Sequence, residues 1–241
     1  MKRFTLFLFL SLVTLTNVQA QKKKKTGEQN FKTEMVKHYT KFYKEMIQKR
    51  DLTSAIIGLN HLLVLEPENT ARKDTLGLLY YTVDNPPLAI ATLANSESEL
   101  GLRTKALAFK KVNNIKESIN NYEVLLKKYY SVMDAYELAQ LQYSVQNFGD
   151  TKITINQALK VAKDEKVQII VAKNSYIETP ITAAFLNILG LMEYNNNVAN
   201  ADNAIAILDQ ALQIDPEFVL AIENKKAILA KKNGETPGPK Q

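Results

Sequence analysis

Two stretches far apart in the chain, at 54–69 and 203–218, share one pattern of residues. They read SAIIGLNHLLVLEPEN and NAIAILDQALQIDPEF. In each, an Ala-Ile pair is followed by Leu four and eight residues after the Ala and by Pro twelve residues after it. Apolar residues at such intervals line one face of a helix, and Pro ends the helix because it has no backbone N–H to donate. A repeated helical unit of this kind buries its apolar face by stacking on its neighbours.

A second helical pattern accompanies these copies. It contains a Leu-Gly pair, Leu76-Gly77 early in the chain and Leu189-Gly190 before the later copy, and Ala89 lies twelve residues after Gly77. Gly and Ala at these positions allow two helices to approach closely, which a large side chain would prevent. This arrangement resembles the tetratricopeptide repeat (TPR), a pair of antiparallel helices of about 34 residues. The resemblance implies an all-α fold.

At this spacing, the chain divides into five units and a final helix. We expect a right-handed α-solenoid of about five TPR-like helix pairs plus a C-terminal capping helix. The units and the capping helix span 36–69, 70–98, 99–131, 132–165, 183–218 and roughly 217–232. The capping helix would cover the open apolar end of the stack.

One stretch between the fourth and fifth units departs from helical periodicity. Val167, Ile169 and Val171 alternate with other residues, and a Lys-Asn-Ser turn follows. This alternation predicts a small β-hairpin at 167–178. The alternative is a longer second helix for the fourth unit followed by a loop.

The N-terminus has the plan of a secretory signal peptide at 1–20, with a charged start, an apolar middle and a Val-Gln-Ala cleavage site. An uncleaved membrane anchor is the alternative, but the apolar run is shorter than the roughly 20 residues that span a bilayer. We expect cleavage after Ala20 and a periplasmic or secreted protein, and the chain contains no cysteine for disulfides. For the rest of the chain, we expect a basic disordered segment at 21–30, a TPR-like solenoid domain at 31–232 and a disordered tail at 233–241.

The net charge of +6 lies entirely near the N-terminus. Lys2 and Arg3 belong to the signal peptide, and Lys22–Lys25 account for the rest. Because the folded part is neutral, we expect no nucleic-acid partner. The lysine run is a candidate for weak contact with an anionic envelope surface.

The sequence shows no recognisable catalytic or cofactor motif. Its two histidines, His38 and His61, fall on separate helices without companion carboxylates at ligand spacing, so we expect no metal and no cofactor. No Gly-rich phosphate loop and no nucleophile elbow is present. We therefore expect a protein that is not an enzyme; a hydrolase or metal enzyme with an unrecognised site is the remaining rival.

The resemblance to TPR proteins implies a partner-binding surface on the concave face, which the first helices of successive units line. Tyrosines and amides suit an extended or helical peptide, because rings supply contact area and amides bond a backbone. We expect a scaffold or adaptor that binds a protein or peptide there; the alternative is a structural spacer or assembly subunit of an envelope complex with no peptide groove. The residues that the resemblance assigns to this face are Tyr81, Arg103, Lys110, Tyr136, Gln140, Tyr143, Asn187 and Tyr194.

Overall fold

The computed structural model describes residues 27–172 and 175–234, and the chain divides between Ser96 and Glu97 into two compact units. The predicted signal peptide, Lys22–Lys25 and most of the predicted C-terminal tail lie outside the described residues. No helix of the described part is long and apolar enough to cross a membrane.

The first unit consists of helices joined by short turns. Its helices are α1 (27–48), α2 (Leu52–Leu65), α3 (Thr70–Thr82) and α4 (Pro86–Thr92). Its core joins Leu59 and Leu62 of α2 to Leu76 and Leu79 of α3, each at most 6% exposed. Burying a leucine side chain completely contributes about 1.5–3 kcal/mol, so this layer fixes the pairing of the helices.

The second unit continues the alternation and contains the hairpin. Its elements are α5 (Glu99–Lys111), α6 (Ile115–Lys128), α7 (Val132–Ser144), α8 (Phe148–Leu159), β1 (Lys166–Ala172), β2 (Ser175–Pro180), α9 (Ile181–Asn196), a 3-10 turn (Val198–Asn200), α10 (Ala201–Ile214) and α11 (Val219–Lys232). The boundaries of these helices follow the predicted TPR-like repeats, and α11 takes the place of the predicted capping helix. The all-α fold built from TPR-like helix pairs is confirmed.

The predicted β-hairpin is confirmed and is slightly longer than expected. Strands β1 and β2 pair antiparallel from Lys166 opposite Pro180 to Ala172 opposite Ser175, with an irregularity between Ile170 and Ala172. Val167 is 6% exposed and packs into the same core as Phe185 of α9. The alternative of an extended α8 is therefore wrong.

The glycines of the Leu-Gly pairs lie where the two helices of one TPR-like repeat touch. A Cβ atom on Gly190 would stand 2.8 Å from Leu208 Cγ and 3.1 Å from the carbonyl oxygen of Ala204, both on α10. Gly77 lies still more tightly against Leu93, whose Cγ would stand 2.3 Å from a Cβ atom on Gly77. The close approach inferred from the sequence is confirmed at both positions.

Four connections between the paired helices use one turn geometry that the sequence pattern did not predict. The middle residue of each three-residue turn has a left-handed backbone with φ of 59–62°. These residues are Arg50, Asp84, Asn113 and Gln146. The residue that follows is Asp or Asn, and three of the four accept a hydrogen bond from the backbone N–H three positions on, which caps the next helix.

One prediction for the N-terminal segment differs from the structure. Residues 27–30 are helical and belong to α1, although the sequence predicted disorder up to residue 30. The first turns of α1 contain the hydrogen bond from Thr33 Oγ1 to the Gln29 carbonyl oxygen, 2.8 Å, and the ion pair between Lys37 and Glu34, 3.1 Å. An ion pair at this i,i+3 spacing stabilises an exposed helix, and single-residue composition misses it.

Candidate protein-interaction surface

The residues predicted for the binding face are divided between the two units. Tyr81 lies on α3 of the first unit and is half-buried. The other seven lie on α5, α7 and α9 of the second unit. We call α5, α7, α9 and α11 the A helices of that unit, and we use the name A-helix ladder for the side-chain contacts that join one A helix to the next.

The first contact of the A-helix ladder joins α5 to α7. Arg103 Nε donates to Asp134 Oδ1 at 2.9 Å, and Arg103 Nη2 donates to Asp134 Oδ2 at 2.7 Å. The Asp134 side chain is only 7% exposed, so the guanidinium neutralises a nearly buried carboxylate. These hydrogen bonds raise the pKa of Arg103 above its ordinary value, and a further bond to Glu99 adds to the effect.

A second ion pair joins the same two helices. Lys110 Nζ lies 2.7 Å from Glu137 Oε2, and both side chains are partly exposed. Exposed pairs of this kind contribute at most about 1 kcal/mol, so this contact orients the lysine more than it stabilises the fold.

Tyrosines and amides join α7, α9 and α11. Asn195 Nδ2 donates to the Tyr143 hydroxyl at 2.6 Å, and Asn224 Nδ2 donates to Asn187 Oδ1 at 2.9 Å. Lys231 Nζ stands 5.7 Å from the centre of the Tyr194 ring, within the range of a cation–π contact. The rings of Tyr143 and Tyr194 remain half-exposed. Partial burial raises the pKa of the Tyr143 hydroxyl, while the bond from Asn195 lowers it.

Two of the predicted face residues are nearly buried. Tyr136 is 5% exposed and meets Phe185 of α9 edge-to-face, with ring centres 5.4 Å apart. Burial raises the pKa of its hydroxyl, which also hydrogen-bonds to half-buried Gln140. Asn187 is 7% exposed. In the described chain, Tyr136 and Asn187 therefore belong to the packing between A helices, not to an open surface.

Five residues that the sequence pattern did not predict complete the A-helix ladder. These are Asp134, Glu137, Asn195, Asn224 and Lys231. The available signal was complementarity at about one repeat length, since Asp134 follows Arg103 by 31 residues and Asn224 follows Asn187 by 37.

Two clefts open on the second unit. One, of about 450 Å³, lies at the ends of α7 and α9 and is lined by Tyr143, Ser144, Gln146, Phe148 and Asn195. The larger, of about 530 Å³, is lined by residues of α6, α7 and α8 and by Tyr130 of the connection between α6 and α7. Tyr130 is 47% and Ile153 of α8 is 57% exposed. Only Tyr143 of the eight predicted residues lines either cleft.

The two histidines take part in ring packing. Tyr39 of α1 stacks on His61 of α2 with ring centres 4.5 Å apart, and His38 meets the edge of Tyr39 at 5.2 Å. No group of three or more His, Asp or Glu side chains among the described residues could hold a metal ion.

The paired helices, the glycine contacts and the repeated turns together define a TPR fold. Solved structures similar to this chain are MamA (TM-score 0.61, 16% identity, covering 76% of this chain and 93% of that chain) and YrrB, described as a TPR protein with an unusual peptide-binding site (TM-score 0.62, 14% identity, 78% and 90%). A tetratricopeptide repeat protein from Parabacteroides merdae ATCC 43184 is similar as well (TM-score 0.62, 16% identity, 84% and 75%). No family model and no curated protein matches the sequence.

Proposed function

We propose that this protein is an exported, non-enzymatic scaffold that binds a protein or peptide partner along the A helices of its second unit. Tyr143 and Tyr194 carry the proposal. Each ring is half-exposed and is held in one orientation by the next A helix, Tyr143 by Asn195 and Tyr194 by Lys231. Rings that are already oriented lose little conformational entropy on binding, so they suit the role of anchors.

The surrounding groups suit a peptide backbone. Asn195 presents an amide beside Tyr143, Gln140 presents one beside Tyr136 on the same helix as Tyr143, and Met133 of that helix is 42% exposed. Amides bond the backbone of a segment, while the rings and the methionine contact its apolar side chains. The ion pairs of Arg103 and Lys110 already neutralise the cations of this face, which favours a partner segment of low charge.

The binding proposal is tested by replacing the two anchors together. The double variant Tyr143→Ala/Tyr194→Ala should capture less of its partners from an envelope extract, with each change weakening binding about five-fold, since aromatic anchors that become buried in the interface contribute most of the binding energy. Tyr130→Ala is the matched control, because this tyrosine is 47% exposed but lines the larger cleft. A folded double variant that captures every wild-type partner at the wild-type level contradicts the binding proposal.

A structural role is the second candidate, and the A-helix ladder favours it. Arg103, Lys110, Tyr143, Asn187 and Tyr194 all contact a neighbouring A helix, as expected of residues that stiffen a spacer. If the protein is a spacer, the double variant should still capture the wild-type partners. Asn224→Ala, which removes the hydrogen bond to Asn187, should then lower the unfolding temperature without changing the capture of partners.

Export is supported by the plan of residues 1–20, a charged start and an apolar run before Ala20. N-terminal sequencing of the protein recovered from its host should give Gln21 as the first residue. A chain that retains Met1 and is recovered with the cytoplasm removes the periplasmic or secreted assignment.

A further inference from the structure

The hairpin carries an apolar strand whose outer edge has no partner strand among the described residues. The sheet there has two strands, so β1 and β2 each have one edge that no further strand covers. The inward side of the hairpin is fixed, since Val167 is 6% and Thr179 0% exposed. The edges are therefore presented by a firmly packed element.

The outward side of the hairpin is unusually apolar. Ile170 is 80% exposed and Tyr176, its partner across the strands, is 61% exposed. Exposed edges are commonly protected by charged side chains, proline or coverage by another element. The run Val-Gln-Ile-Ile-Val-Ala at 167–172 contains no charge, no proline and no glycine. Segments with this composition readily pair as strands.

The two edges differ in their suitability for pairing. β2 carries the charge of Glu178 and ends at Pro180, which has no N–H to donate. β1 has a single charged residue, Lys166, at its first position. An added strand is therefore expected on β1.

We propose that β1 pairs antiparallel with β1 of a second copy of this chain and forms a continuous four-stranded sheet. Centred on Ile169, the pairing places Gln168 of each copy opposite Ile170 of the other, within the regular part of the strand, which ends at the irregularity after Ile170. Ile169 then lies opposite its own equivalent, and the Lys166 residues of the two copies lie at opposite ends of the strand pair. No like charges oppose each other, so the strand is complementary to itself, which favours a second copy over an unrelated segment.

The size of the contact between the two β1 strands determines how tightly the dimer is expected to form. The seven residues of β1 extend at most about 23 Å at roughly 3.3 Å per residue. One strand pair buries less than the roughly 1,600 Å² of a standard stable interface, so the dimer is weak and forms at high concentration. This inference does not depend on peptide binding by the A helices.

Sedimentation of the full chain, as processed by its host, over a concentration series tests the proposal. The wild-type mass should rise towards that of a dimer. Ile170→Lys places two lysines diagonally across the strand pair and should weaken association at least about five-fold. Val64→Lys is the matched control, because Val64 is 81% exposed on α2 and should leave association unchanged. Gln168→Lys, a change at an exposed residue of β1, is a second disrupting variant.

A nitroxide label reports the contact directly, because the chain has no cysteine of its own. A label at Gln168→Cys should show spin–spin broadening at high concentration that disappears on dilution with unlabelled protein, and a label at Val64→Cys should not. A wild-type chain that stays monomeric throughout the series overturns the proposal. So does equal weakening by Ile170→Lys and Val64→Lys, or a β1 edge that captures a different protein while the chain remains monomeric.

Discussion

Arg103 of α5 holds the carboxylate of Asp134 of α7 with two of its nitrogens, Nε at 2.9 Å from Oδ1 and Nη2 at 2.7 Å from Oδ2. The two residues lie 31 positions apart, close to one repeat length. Because the Asp134 side chain is 7% exposed, this contact between repeats is a nearly buried ion pair with defined geometry.

Arg103→Ala should destabilise the second unit. The change leaves a nearly buried carboxylate without its partner, and breaking such a pair costs about 3 kcal/mol, less where water reaches the site. The Arg103 side chain is 33% exposed, so we expect about 2 kcal/mol by urea denaturation. Lys110→Ala, which removes the more exposed pair with Glu137, is the control and should cost less than about 1 kcal/mol. Equal losses from the two variants would contradict the assigned role of Asp134 burial.

Gly190→Ala and Gly149→Ala should change stability in opposite directions. A Cβ on Gly190 would stand 2.8 Å from Leu208 Cγ, whereas a Cβ on Gly149 of α8 would meet nothing within 4 Å. Gly190→Ala should therefore lower the free energy of unfolding by about 1–3 kcal/mol through overpacking, and Gly190→Leu by more. Gly149→Ala should raise it by up to about 1 kcal/mol, because alanine favours the helix. Thermal or urea unfolding monitored by circular dichroism measures both, and a stabilising Gly190→Ala would refute the close helix contact.

The sequence predicted best those structural features that depend only on residues within one repeat. The Leu-Gly pairs mark close helix contacts, and the alternation at Val167 and Ile169 marks a strand, because each depends on short-range periodicity. The burial of Tyr136 depends on Phe185 of the next A helix, whose ring packs against the Tyr136 ring. The hairpin insertion separates the two residues in the sequence. Register within a single repeat places this tyrosine on the binding face and gives no information about the ring that covers it.

Substitutions of Gln146 test the geometry of the turn that joins α7 to α8. Its φ of 59° is left-handed, a conformation that disfavours side chains with a branched Cβ. Gln146→Gly should leave stability unchanged or raise it by a few tenths of a kcal/mol, since glycine adopts this backbone without strain but gains freedom in the unfolded chain. Gln146→Val should lower stability by about 1–3 kcal/mol. The neighbouring Val145→Gly is the control: it lies outside the left-handed region and should not be stabilised by glycine. Unfolding midpoints of the three variants give the order, and a Val variant as stable as the Gly variant would contradict the turn geometry.

Tyr136→Phe should make the protein more resistant to alkaline unfolding. Burial raises the pKa of the Tyr136 hydroxyl in the folded state above the value near 10 of an exposed tyrosine. The folded protein therefore retains this proton at pH values where the unfolded chain has lost it, so the stability due to Tyr136 is complete below pH 10 and declines as pH rises above it. Phenylalanine cannot ionise, so the variant should lose less stability between about pH 10 and pH 12 than the wild type, although at neutral pH it should be less stable by about 1 kcal/mol for the lost bond to Gln140. Tyr176→Phe is the matched control, because it makes the same change at a tyrosine that is 61% exposed. Urea denaturation at a series of alkaline pH values measures the free energy of unfolding of both proteins. If this free energy falls equally with pH in the wild type and in Tyr136→Phe, the buried hydroxyl does not cause the loss of stability at alkaline pH.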